Sequence, residues 1–84
     1  MGIAMRIKED VMISRSGIVT FTLNGDPYDV PGPLSISELL TRLEIDAQRV
    51  AVEHNLVVLK RAAFDRTTVN AGDEIEIVNF VGGG

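Results

Sequence analysis

The sequence contains no cysteine, a single histidine and no long apolar run. Without cysteine there is no disulfide framework, no thiolate metal site and no thiol nucleophile. Without a run of about 18 apolar residues there is no transmembrane helix. The opening Met1-Gly2-Ile3-Ala4-Met5-Arg6 lacks the apolar core of a secretory signal, so a cytoplasmic address is expected. His54 has no nucleophile placed near it in sequence and reads as a surface or turn histidine, not a general base. One histidine and dispersed carboxylates lack ligand spacing, so no metal is expected. Bases are also sparse: eight Lys and Arg face twelve Asp and Glu, and Lys60-Arg61 is the only adjacent basic pair. Phosphate backbones are gripped by clustered Lys and Arg, which argues against a nucleic-acid partner.

What is present is the composition of a globular chain, 45% hydrophobic and 24% charged, which excludes a disordered or collagen-like protein. Eighty-four residues allow one small domain, below the usual ~100–150. Such a chain buries about 60–65% of its unfolded surface, too little for a deep active-site cleft. Of the net charge of −4, residues 1–17 carry +1 (Arg6, Lys8 and Arg15 against Glu9 and Asp10), leaving −5 on the remainder. An acidic body suits docking to a basic protein surface, although such charges commonly form only a solvated face.

Residues 1–16 show no clean period and read as an N-terminal extension, with weak support for a short edge strand around 11–13. Ordered sequence starts at Gly17. Val19, Phe21 and Leu23 alternate with Ile18, Thr20 and Thr22, a strand pattern. Asn24-Gly25 then supplies the two positive-φ positions of a type I′ turn, and the return strand points Tyr28 and Val30 to one face. Pro31-Gly32-Pro33 ends it, since proline cannot donate to a ladder. Ser35-Ile36-Ser37-Glu38 has the form of a capping box. Ile36, Leu39, Leu40 and Leu43 follow as one apolar helical stripe, with the helix expected to end near Ile45-Asp46. Val50–His54 reads as a strand with Val50 and Val52 inward, Asn55 as a turn and residues 56–59 as a second apolar run. Phe64 plugs the core from one helical turn, and Asn70-Ala71-Gly72-Asp73 is a turn by composition. The last strand, residues 74–80, places Ile75 and Ile77 inward and Glu74 and Glu76 in water. Hairpin, helix, two short strands and a final strand describe an α+β fold. A mixed four- to five-stranded sheet with the last strand beside the first and one main helix on one face is the β-grasp, or ubiquitin-like, arrangement.

The fold is complete at Phe80, which leaves Val81-Gly82-Gly83-Gly84 without a structural task. Termini often fray, and an inert tail is one reading. The other is an arm without side chains that enters a channel too narrow for any Cβ. Its carboxylate, with a pKa of roughly 3.3–3.7, is unreactive near neutral pH and needs activation, for example as an acyl-adenylate made from ATP by another protein.

The β-grasp order, Val50-Ala51-Val52-Glu53-His54-Asn55, the Lys60-Arg61 loop, Ala71-Gly72-Asp73-Glu74-Ile75-Glu76-Ile77 and the Val81-Gly82-Gly83-Gly84 end resemble the ThiS family, sulfur carriers of thiamine biosynthesis. The resemblance covers residues 17–84. It implies that the Gly84 carboxylate is adenylated by a ThiF-like enzyme that uses ATP, the carrier binding no cofactor itself. A thiocarboxylate would then form with sulfur from a donor such as a cysteine desulfurase, and pass sulfur to the thiazole synthase ThiG. Gly82 and Gly83 would form the flexible tail. Such a carrier is acted upon and is not an enzyme, and the absence of cysteine is consistent with sulfur carried on Gly84 itself. Val78 and Phe80 fall on the same strand face as Glu74 and Glu76; with Val81 they form the expected partner-binding residues, although Phe80 closing the end of the core is an open alternative. Two other functions share the fold: a MoaD-like sulfur carrier for molybdopterin synthesis, whose relatives often end in Ala-Gly-Gly, and a ubiquitin-like protein modifier.

Overall fold

The computed structural model describes residues 17–80. The expected extension over residues 1–16, its short strand around 11–13, and Val81, Gly82, Gly83 and Gly84 lie outside the described residues.

β1 (Ile18–Leu23) and β2 (Asp26–Pro31) form an antiparallel hairpin. Asn24 and Gly25 take φ of 49° and 90° at its tip, the conformation a type I′ turn requires. Phe21 and Tyr28 face each other across the ladder with ring centroids 5.8 Å apart, edge to face. Beyond β2, Gly32 lies so close to Val19 that a Cβ would strike its side chain. The stiff branched neighbour has little room to yield, which explains the glycine between two prolines.

β3 (Leu34–Ser35) leads into α1 (Ile36–Arg42). The Ser35 hydroxyl accepts from the Glu38 N–H at 3.0 Å, and the Glu38 carboxylate accepts from the Ser35 N–H at 2.8 Å. This reciprocal box satisfies two of the unpaired donors at the helix start. Ile36, Leu39 and Leu40 are buried, and Leu43 packs against the same core. The helix stops earlier than the stripe predicts, at Arg42 and not near Ile45-Asp46. Glu44 adopts φ 60°, its N–H donates to Thr41, and the Ile45 N–H donates to Leu40. That is a Schellman ending with glutamate where glycine is usual.

A 3₁₀ turn (Ala47–Arg49) precedes β4 (Val50–His54), which hairpins into β5 (Val57–Val58). Asn55 and Leu56 both have positive φ, 52° and 71°. The apolar run at 56–59 therefore yields only two strand residues, and Leu56 at the tip is 82% exposed. A second 3₁₀ turn (Arg61–Ala63) brings Phe64 into the core. β6 (Thr68–Val69) and β7 (Glu74–Asn79) complete the chain.

The main sheet runs β2-β1-β7-β4-β5, with β1 and β7 parallel and the other neighbours antiparallel. The last strand thus sits beside the first, in the centre of five. β3 and β6 form a separate two-stranded sheet that the sequence pattern does not reveal. Phe21, Val30, Val50, Val52 and Ile75 from the main sheet meet Ile36, Leu39 and Leu40 from the helix, with Phe64 and Val69 closing the side. Each such burial contributes roughly 1.5–3 kcal/mol.

Candidate functional site

Residues 81–84 follow β7 in sequence, and alternation along that strand determines what surrounds its C-terminal end. Ile75 is buried and Ile77 packs on the core, while Glu74, Glu76 and Val78 face outward. Val78 lies opposite Ala51 of β4. One residue past the strand, the Phe80 N–H donates to the Arg49 carbonyl at 2.9 Å. Val78 and Phe80 are each 56% exposed, so Phe80 does not close the core. A cleft of about 370 Å³ lined by Asp46, Gln48, Arg49 and Phe80 opens beside it.

One side chain braces this end of β7 and another braces the turn beside it. The Asn24 carboxamide accepts from the Ile77 N–H at 2.8 Å and donates to the Ile77 carbonyl at 3.3 Å. On the other flank, the Arg61 guanidinium donates from Nε to the Ala47 carbonyl at 3.2 Å and from Nη2 to the Gln48 carbonyl at 3.4 Å. Asp46 caps the same turn by accepting from the Gln48 N–H at 2.9 Å. Neither Asn24 nor Arg61 stands out in the sequence as a neighbour of the exit. Asn24 signals a turn, and Arg61 part of a basic pair.

The start of β7 is a polar knot. His54 Nε2 donates to Asp73 Oδ2 at 2.8 Å, with the two side chains only 20% and 12% exposed. His54 is therefore no bare surface histidine: it ends β4 as expected but turns inward onto a carboxylate 19 residues away. Asp73 also accepts from the Asn70 N–H at 2.8 Å and from the Asn55 amide at 3.2 Å. The Asn55 carbonyl oxygen accepts from the Glu74 N–H at 2.8 Å. Burial alone pushes the Asp73 carboxyl up, but the bonds from Asn70, His54 and Asn55 together outweigh it and hold its pKa below the ordinary value. All these partners lie on turns and strand ends, so the knot ties the β4–β5 hairpin to the turn before β7. It has no nucleophile within it.

Glu53 and Glu76 stand opposite each other on the open face, and with Glu74 and Leu56 they border a depression of about 160 Å³. Like charges across a ladder cost stability unless a partner offsets them. Among the described residues no group of three or more His, Cys, Asp or Glu is placed to hold a metal, and no helix is long and apolar enough to cross a membrane.

Among the described residues, one α-helix cradled by a five-stranded mixed sheet, with an exposed apolar end on the central strand, defines a ubiquitin-like β-grasp protein. The ThiS family model matches residues 21–84. The crystal structure of the thiamine biosynthesis protein ThiS from Geobacter metallireducens is 46% identical; the match covers 79% of this chain and all of that one, with a TM-score of 0.70. The uncharacterized protein ycf40 of Porphyra purpurea is 36% identical over 66 residues, 79% of this chain and 93% of its own. A protein named thiazole synthase from Paramagnetospirillum magneticum is 37% identical over 62 residues, 74% of this chain but only 19% of its own. The chain belongs to the ThiS family, the small sulfur carriers of thiamine biosynthesis.

Proposed function

We propose that the Gly84 carboxylate is the working end of this carrier. A ThiF-like enzyme attacks ATP with that carboxylate, forming an acyl-adenylate and releasing pyrophosphate. The terminal sulfur of a persulfide on a donor such as a cysteine desulfurase attacks the acyl carbon and displaces AMP. A thiol of the partner enzymes then cleaves the resulting acyl disulfide, leaving the thiocarboxylate and a disulfide. The thiocarboxylate hands its sulfur to a thiazole synthase of the ThiG kind and returns to a carboxylate. ATP is consumed by the partner, and the carrier needs no bound cofactor of its own. The cytoplasm, where ATP is available, suits this chemistry.

The observation that carries the reading is the family match, which runs through Gly84. The thiazole synthase of P. magneticum supports the acceptor, because a segment similar to this chain occupies part of that longer polypeptide. The exposed Val78 and Phe80, with Val81 following, provide an apolar surface at the root of the arm for enzymes that receive it, and Gly82 and Gly83 give the arm its slenderness.

The test is intact mass after incubation with ATP, an adenylating partner and a sulfur donor. Exchange of one oxygen for sulfur at Gly84 is expected. No mass change beside a partner that activates its own carrier overturns the reading, and specific capture of a molybdopterin synthase large subunit in place of thiazole synthase reassigns the pathway.

A further inference from the structure

We propose that Arg61 is a positioning residue that fixes the point from which the glycine arm departs. The inference deepens the proposed function and rests on Gly84 being the group that reacts.

The last backbone bond of the described chain, from the Phe80 N–H, ends on the carbonyl of Arg49. Arg49 is the final residue of the 3₁₀ turn Ala47–Arg49, which has no fully buried residue and packs on the core only through Ala47. A single turn gains little from its own hydrogen bonds. Its N-terminal side is secured by Asp46, through the Gln48 and Arg49 N–H groups. Its carbonyl side is secured by Arg61, which reaches from the second 3₁₀ turn to the two carbonyls before Arg49, those of Ala47 and Gln48. Carbonyls at a helical end lack partners within the turn, and a planar guanidinium can serve two of them at once. A chain of contacts therefore runs from Arg61 through the turn to the Arg49 carbonyl and on to Phe80.

The remaining four residues span at most about 14 Å when extended. The position of Phe80 therefore limits where Gly84 can reach. Misplacement by about 1 Å can cost on the order of a hundredfold in rate. The effect of Arg61 passes through the turn to Arg49.

The experiment uses the full chain with ATP and an adenylating partner, reading acyl-adenylate formation. Arg61→Ala is expected to lower kcat about tenfold with KM for the carrier within about twofold, the signature of lost alignment and not of lost docking. Amide exchange of Phe80 should accelerate about tenfold while that of Val52, in the core of β4, is unchanged. Arg61→Lys, which keeps a donor for one carbonyl, should recover part of kcat. Unchanged kcat in Arg61→Ala overturns the inference, as does a rise in KM at constant kcat. If Arg61→Ala fails to fold, Arg61→Lys and Arg61→Gln carry the same comparison, and wild-type kcat in both overturns it. Failure of wild-type protein to form an adenylate counts instead against Gly84 as the reacting group.

Discussion

Asn24 and Ile77 are paired as though Asn24 were a strand residue: its carboxamide accepts from the Ile77 N–H and donates to the Ile77 carbonyl. The parallel β1–β7 ladder reaches only Leu23 and Ile75. The Asn24 N–H still donates to the Ile75 carbonyl at 2.9 Å, and its side chain prolongs the ladder by a further step as the backbone turns at φ 49°. A single residue thus shapes the hairpin and braces the strand that carries the arm.

Replacing Asn24 separates these two roles. Asn24→Gly tolerates the positive φ but removes the brace, and each net hydrogen bond is worth about 0.5–1.5 kcal/mol. A loss of about 1–2 kcal/mol is expected in urea unfolding. Asn24→Asp keeps the acceptor for the Ile77 N–H but sets a carboxylate against the Ile77 carbonyl, so it should be no more stable than Asn24→Gly. Wild-type stability in Asn24→Gly would show that the brace contributes nothing.

Asp73 sets an acid limit on the fold. Its pKa is held below the unfolded value, so the folded state favours the ionised form. The contribution is present above the unfolded pKa, near 3.8, and disappears as pH falls through the lower folded value. Asp73→Asn should therefore be less stable than wild type at pH 6, and the gap should narrow as the solution is taken below about pH 4. Urea midpoints of both proteins across that range make the comparison. A gap independent of pH would assign the loss to packing.

Phe80 gives the complementary test to Arg61. Because its side chain is more than half exposed, Phe80→Glu should leave the unfolding midpoint within about 0.5 kcal/mol of wild type. A desolvated aromatic at an interface commonly contributes at least about 1–2 kcal/mol. KM for the carrier with an adenylating partner is thus expected to rise about tenfold while kcat holds. Collapse of the folded state on this substitution would defeat the docking role.

The parts of this fold that are legible in the sequence are those specified by neighbours. Asn24-Gly25 defines its own turn, Ser35 and Glu38 cap their own helix, and Ile36, Leu39 and Leu40 repeat on their own surface. The outward placement of Val78 follows from strand alternation with Ile75. What escapes depends on distant partners or on a single unusual backbone angle. Leu34 meets Val69 and Ser35 meets Thr68 in a ladder only two residues long, too short for any period to show. The helix ends early because Glu44 accepts a conformation that its side chain does not advertise. His54 finds Asp73, and Arg61 finds Ala47 and Gln48, only once hairpins have folded back. At the exit of the arm, the apolar residues were readable and the polar residues that aim them were not.

The central position of β7 has a mechanical consequence. A partner that grips the arm and pulls along it loads β7 lengthwise between β1 and β4. The ladder bonds on both flanks then bear the force together in shear and cannot open one after another like a zip. A strand at either rim, such as β2 or β5, has one neighbour and would bear the same load on one ladder alone. Tension applied at the C-terminal end of β7 is therefore shared between the ladders to β1 and β4.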